Sequence, residues 1–158
     1  MKVYFDTEFT GLLGIVTDIK LISVGFVTEF GKELYFELTD HYEIKECSSF
    51  VHETVLPHLN NAKYGLKTAQ AAKNLNQWLQ NLGEPVKLAC DAPGYDFALI
   101  EHLLLKHHCW PECLNKKPLN VGGYIIADRI EKYFEYQPLA IRHHALWDAR
   151  ALAKAVKV

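Results

Sequence analysis

The chain has 158 residues, 49% of them apolar and 23% charged, and its 17 basic against 19 acidic side chains leave a formal charge of −2. A chain of this size buries roughly 68–70% of the surface its unfolded form exposes, enough for a core without disulfides, and the composition excludes disorder and fibrous repeats. The acidity also weighs against nucleic acid, because a phosphate-tracking surface shows an excess of Lys and Arg. No run reaches the ~18 apolar residues of a membrane span, and the N-terminal MKVYFDTEF meets acids too early for a signal peptide, so a cytoplasmic protein away from the membrane is expected. Four irregularly spaced cysteines (Cys47, Cys90, Cys109, Cys113) read as reduced thiols. Pro111 inside the run from His107 to Cys113, with no second Cys/His pair nearby, argues against zinc there.

In chain order, residues 2–6 and 19–28 are rich in Val, Ile, Tyr and Phe, and Phe30-Gly31-Lys32 reads as a hairpin turn into a third strand at 33–39. Thr68 precedes a helix with Ala71, Leu75, Trp78, Leu79 and Leu82 at helical spacing, stopped by Gly83 and Pro85. Residues 86–90 form a short apolar run that predicts a buried strand. Helices are predicted over about 96–107, near 127–136 and over about 145–156, with room for one more strand between the first two. With no repeat, low-complexity tract or linker, a single domain over residues 1–158 is expected. Three strands followed by alternating helices and strands predict an α/β, ribonuclease-H-like mixed five-stranded sheet flanked by helices, and no G-x-G-x-x-G or P-loop favours a dinucleotide fold.

Asp6 and Glu8 end the first strand. Residues i and i+2 of a strand share a face, so the two carboxylates project together and repel unless a cation lies between them. Asp96 opens a helix after the loop from Asp91 to Tyr95, where a helix dipole favours an acid in any case. Asp148 sits in the first turns of the last helix, four residues after His144, and that spacing also suits an ordinary surface pair.

The strings DTEFTGL (6–12), DAPGYDFALI (91–100) and HHALWDA (143–149), in that order, resemble the DEDDh branch of the 3′-to-5′ exonucleases, which includes proofreading subunits, ribonuclease T and oligoribonuclease. The resemblance spans nearly the whole chain. Its middle motif is the loosest, since Asp91-Ala92-Pro93-Gly94 stands where the family has an Asn-rich lead-in; Asp96 is paired with the family acid and Asp91 is the fallback. The resemblance implies Asp6, Glu8, Asp96 and Asp148 as metal-binding acids holding two Mg²⁺ ions, with Mn²⁺ able to substitute, and His143 rather than His144 as general base. It further implies substrate contacts from Thr7, Phe9, Thr10, Gly11, Leu12, Tyr95 and His143, release of nucleoside 5′-monophosphates from RNA or single-stranded DNA 3′ ends, and a homodimer as in its small members. RNA is the preferred substrate on likeness to the stand-alone bacterial exoribonucleases.

The chemistry agrees with those residue types. Phosphodiester hydrolysis needs a deprotonated water, neutralised charge in the transition state and a stabilised leaving oxygen, and divalent ions held by hard oxygen ligands serve all three. A histidine titrating near neutrality takes the proton. Apolar side chains after the first motif suit base stacking on any sequence. Arg142 and Trp147 are close enough in sequence to assist, whereas Arg129 and Lys132 read as solvated charges. Two other readings stand beside this one: a DNA-directed exonuclease or metal-dependent endonuclease of the same broad fold, and a non-catalytic nucleic-acid-binding module. The charge objection also softens. Residues 1–90 carry 8 basic and 11 acidic side chains and residues 91–158 carry 9 and 8, so the second part is net basic. Two bound divalent ions would turn the formal charge from −2 to +2.

Overall fold

Strand β1 (Lys2–Phe9) lies at the middle of the sheet because its alternate residues are apolar on both faces: Val3 and Phe5 point one way and Tyr4 the other, all buried. The computed structural model describes residues 1–157. Beside β1 runs β2 (Leu21–Thr28), buried along its whole length, and then β3 (Glu33–Leu38); the three are antiparallel, and β2 and β3 are joined by the expected hairpin turn. On the other side of β1, β5 (Lys87–Cys90) pairs parallel.

The sheet is mixed and flanked by helices, and it has six strands in the order β4-β3-β2-β1-β5-β6. One more strand is present than the five expected. Leu119–Asn120 (β6) fills the place left for a strand after residue 107, while Gly65–Leu66 (β4) adds a two-residue parallel edge to β3. Such short strands carry no period in sequence, since tertiary pairing alone defines them.

Helices α3 (Thr68–Gln80) and α4 (Asp96–Lys106) cover one face of the sheet, where Phe5, Phe26, Phe36, Leu75 and Ile100 form the larger core. Helices α5 (Tyr124–Tyr136) and α6 (Ala145–Val156) cover the other, where Tyr4, Ile130 and Leu152 pack with a run of alanines from α6. α5 begins three residues before its apolar periodicity, because Tyr124 and Ile125 are exposed and give no inward signal. The segment between β3 and β4 holds two short helices, α1 (Ser49–Thr54) and α2 (Asn61–Tyr64), that periodicity does not reveal. No helix among the described residues is long and apolar enough to cross a membrane.

This arrangement brings the C-terminal ends of the parallel strands β1 and β5 side by side. In open α/β sheets that edge is where ligands bind. It is also where the acids of β1, of the loop after β5 and of the first turns of α4 and α6 meet.

Candidate active site

β1 delivers Asp6 and Glu8 to the face that α6 covers, with Asp6 opposite Gly25 and Glu8 opposite Ser23 on β2. The register slips between Glu8 and Phe9, and a bulge of this kind re-aims the side chains around it. Gly25 is what lets α6 come close. A Cβ there would stand 2.4 Å from the Leu146 Cα and 2.6 Å from the Ala145 carbonyl oxygen, so only glycine admits the first turn of α6 and with it Asp148. Arg150 then ties α6 to β3 through two 2.7 Å bonds to the Glu33 carboxylate.

Two groups of carboxylates converge. Asp6, Glu8 and Asp148 each bring an oxygen within 4.8 Å of the others, and Asp6, Asp91 and Asp96 do the same, so Asp6 belongs to both. The choice between Asp91 and Asp96 thus dissolves: the short β5–α4 loop presents both to Asp6. Asp96 is buried and accepts a 2.6 Å hydrogen bond from the Thr7 hydroxyl, which fixes it from the opposite face of β1.

Burial and crowding raise the proton affinity of Asp6, Glu8, Asp96 and Asp148. Burial pushes Asp6 well above the usual carboxylate range, with Asp148, Asp96, Glu8 and Asp91 adding to the effect. Burial and the neighbouring Asp148 and Asp96 push Glu8 up to about 8. Asp96 rises to about 7 by burial, restrained by the Thr7 hydroxyl. Asp148 rises to about 6 by burial, restrained by Arg142. Arg142 pairs with Asp148 and, at 3.0 Å, with Glu131, while its guanidinium lies 5.0 Å from the centre of the Phe134 ring. The backbone N–H of His144 donates to the second Asp148 oxygen at 3.0 Å. An all-carboxylate donor set with this much unrelieved repulsion fits hard divalent cations such as Mg²⁺ and Mn²⁺, which take oxygen ligands.

The two histidines before α6 are placed differently. His143 adopts a left-handed backbone (φ 61°) and lines the acid cleft, its ring edge-on to Phe50 at 4.9 Å. Burial and Arg142 lower its pKa, which favours the neutral imidazole, the form that can take a proton. His144 is turned the other way and stacks on Tyr35 of β3 at 4.6 Å.

The cleft has a volume of about 540 Å³. Phe9, Gly11 and Leu12 line it as expected, and Thr7 lines it while its hydroxyl serves Asp96. Two expected contacts lie elsewhere. The Thr10 side chain is fully buried and closes the 10–20 loop, donating to the Asp18 carbonyl and accepting from the Lys20 N–H. Tyr95 stacks flat on Phe9 at 5.4 Å and faces a neighbouring groove. Gly11 (φ 155°) cannot be replaced without conflict, since a Cβ would meet Val16 Cγ1 at 2.6 Å.

The far wall, from Ser48 to Val51, has almost no signature in the sequence. It is pinned by the Ser48 N–H donating to the Thr10 carbonyl at 2.8 Å, and Phe50 and Ile15 stand exposed beside the acids. The only sequence signal for this wall is Ser48, an N-cap residue whose hydroxyl accepts from the Val51 N–H.

No protein-family model and no curated protein sequence matches this chain. Solved structures do. Pop2p of S. pombe, in its Mg²⁺- and Mn²⁺-bound form, superposes with a TM-score of 0.63 at 16% identity, covering 98% of this chain and 81% of that one. E. coli exonuclease I in complex with a dT13 oligonucleotide gives 0.60 at 13%, and exonuclease I of Methylocaldum szegediense gives 0.62 at 13%, each covering 99% of this chain. This chain shares its fold with Pop2p and with part of exonuclease I. It spans 40% of the E. coli exonuclease I chain and 39% of the M. szegediense one, so the likeness is to a part of those enzymes.

Proposed function

We propose that the protein is a metal-dependent 3′-to-5′ exonuclease that removes nucleoside 5′-monophosphates from single-stranded nucleic acid, with RNA as the preferred substrate. The observation that carries the reading is the pair of carboxylate triads sharing Asp6, at a cleft that His143 also lines. Asp6, Glu8, Asp91, Asp96 and Asp148 are the residues that would hold divalent cations. When bound, such cations neutralise the charge that develops on the phosphoryl group and ease deprotonation of the attacking water.

The remaining work falls to the chain itself. His143 accepts the proton from that water, and its position just ahead of α6 sets it at the cleft rim. Thr7 keeps Asp96 in place through the 2.6 Å bond. Leu12, Ile15 and Phe50, each more than half exposed, offer an apolar surface on which the terminal base packs without regard to its identity. A neutral, sequence-blind contact of this kind suits an enzyme that holds a strand end. The reading is supported further by the exonuclease fold and by the oligonucleotide complexes of the E. coli enzyme.

A digestion time course on 5′-labelled RNA and DNA oligonucleotides, with free and blocked 3′ ends, tests it. The expected result in Mg²⁺ is a one-nucleotide ladder shrinking from the free 3′ end, faster on RNA, and no cleavage in EDTA. Internal cleavage of the 3′-blocked strand, or no cleavage in Mg²⁺ or Mn²⁺, contradicts it.

A further inference from the structure

Beyond the 10–20 loop from the acid cleft lies a second and larger groove, about 720 Å³, between that loop, the start of α3 and the length of α4. The two share a boundary: Phe9 belongs to the cleft, Tyr95 to the groove, and their rings stack flat on one another. Leu12 faces the cleft and the adjacent Leu13, 78% exposed, faces the groove.

His41, His102 and Lys106 converge on the groove, and among the described residues none of their side chains takes part in a hydrogen bond or ion pair. They are close enough to feel one another, since after burial it is Lys106, His102 and Lys20 that most disfavour a charge on His41. The acids present do little to offset them. Asp40 accepts the first N–H of α3 at 2.8 Å, Lys20 is occupied by Glu46 at 2.7 Å, and Asp18 sits on the exposed rim. Lys106 and two imidazoles without partners in one concave site are donors left free to meet an anion. An aromatic ring at the mouth adds a stacking platform.

We infer that this groove holds the upstream part of the single strand, with Lys106, His102 and His41 on the phosphates behind the 3′-terminal nucleotide and Tyr95 and Leu13 at the crossing from cleft to groove. The inference rests on the acid cleft being the site of the 3′ end. It makes affinity depend on strand length, because a dinucleotide ends before the groove and a longer strand enters it.

The test is fluorescence anisotropy of 5′-labelled oligo-dT and oligo-U of two, four and eight nucleotides, in Ca²⁺ in place of Mg²⁺, with hydrolysis in Mg²⁺ followed in parallel. Wild type should bind the eight-mer several-fold more tightly than the dinucleotide. Lys106→Glu should remove most of that gain, Lys106→Arg should keep it, and Lys106→Gln should lower the salt slope for the eight-mer by about 0.7. His102→Glu, also at an exposed position, serves as a second variant if Lys106→Glu does not fold. Lys132→Glu, a matched charge change on α5, should behave as wild type. Equal weakening by Lys132→Glu, or a length dependence unchanged in Lys106→Glu, overturns the groove. If wild type hydrolyses nothing yet Lys106→Glu flattens the length dependence, the groove stands and the exonuclease reading fails. Hydrolysis together with an unchanged length dependence in Lys106→Glu overturns the groove and leaves the exonuclease reading standing.

Discussion

Two adjacent histidines, His143 and His144, face different surroundings, and the proposed function assigns the base to His143. Helical spacing would join His144 to Asp148, and the structure does link them, but through the His144 backbone N–H rather than its ring. The His144 imidazole instead stacks on Tyr35, and only His143 faces the acids' cleft. General-base catalysis contributes roughly 10²–10⁴-fold. His143→Ala is therefore expected to lower kcat on an oligonucleotide by that factor while leaving the melting temperature nearly unchanged. His144→Ala should lower the unfolding free energy by about 1 kcal/mol through its lost stacking on Tyr35, and with it the melting temperature, and keep most of the turnover. Steady-state kinetics and thermal melts of both variants check the assignment, and a reversal of the two phenotypes contradicts it. The order of acids along the chain was readable because D-x-E on a strand and an acid at a helix start have definite directions. That both Asp91 and Asp96 reach Asp6 was not readable, since it depends on how a five-residue loop turns between β5 and α4.

The junction of β2 and α6 decides whether the acids meet at all. At Gly25 the backbone of α6 touches the sheet, and Asp148, two residues beyond Leu146, is thereby carried toward Asp6. A methyl group there must push backbone, which cannot yield like the end of a side chain. Gly25→Ala is expected to cost about 1–3 kcal/mol of stability as overpacking. It should also reduce turnover roughly 10²-fold, because a displacement near 1 Å at reacting groups has that effect. Chemical denaturation and kinetics of the variant check both. A fully active Gly25→Ala would mean that α6 is not held by this contact. The long helices and the central strands were legible because their apolar periods match 3.6 and 2. The wall carrying Phe50 was not, since α1 spans only six residues and takes its position from Ser48 bonding to Thr10, a contact made across the fold.

For the molecule as a whole, the acid cluster is a store of electrostatic strain that a bound cation would relieve. Asp6, Glu8, Asp96 and Asp148 have folded-state pKa values raised from ordinary values of 3.8 for Asp and 4.5 for Glu. The metal-free folded protein then binds more protons than the unfolded chain between about pH 4 and about pH 8. These groups favour folding fully below the unfolded values, and that contribution is lost as pH rises through the folded ones. The melting temperature in EDTA should fall between about pH 5 and pH 8, and excess Mn²⁺ should flatten the profile by binding the folded state. A metal-free profile that rises with pH would contradict the crowding. On the proposed function, overall acidity is no sign against nucleic acid, because five of the 19 acidic side chains belong to the site.

Asp6 alone belongs to both carboxylate groups, so calorimetric titration of Mn²⁺ into wild type and Asp6→Asn, with Asp18→Asn as an exposed control, bears most directly on the proposed metal centre. Saturable Mn²⁺ binding by wild type and Asp18→Asn, lost or weakened at least tenfold in Asp6→Asn, is the expected result. Equal binding by Asp6→Asn and wild type would contradict it.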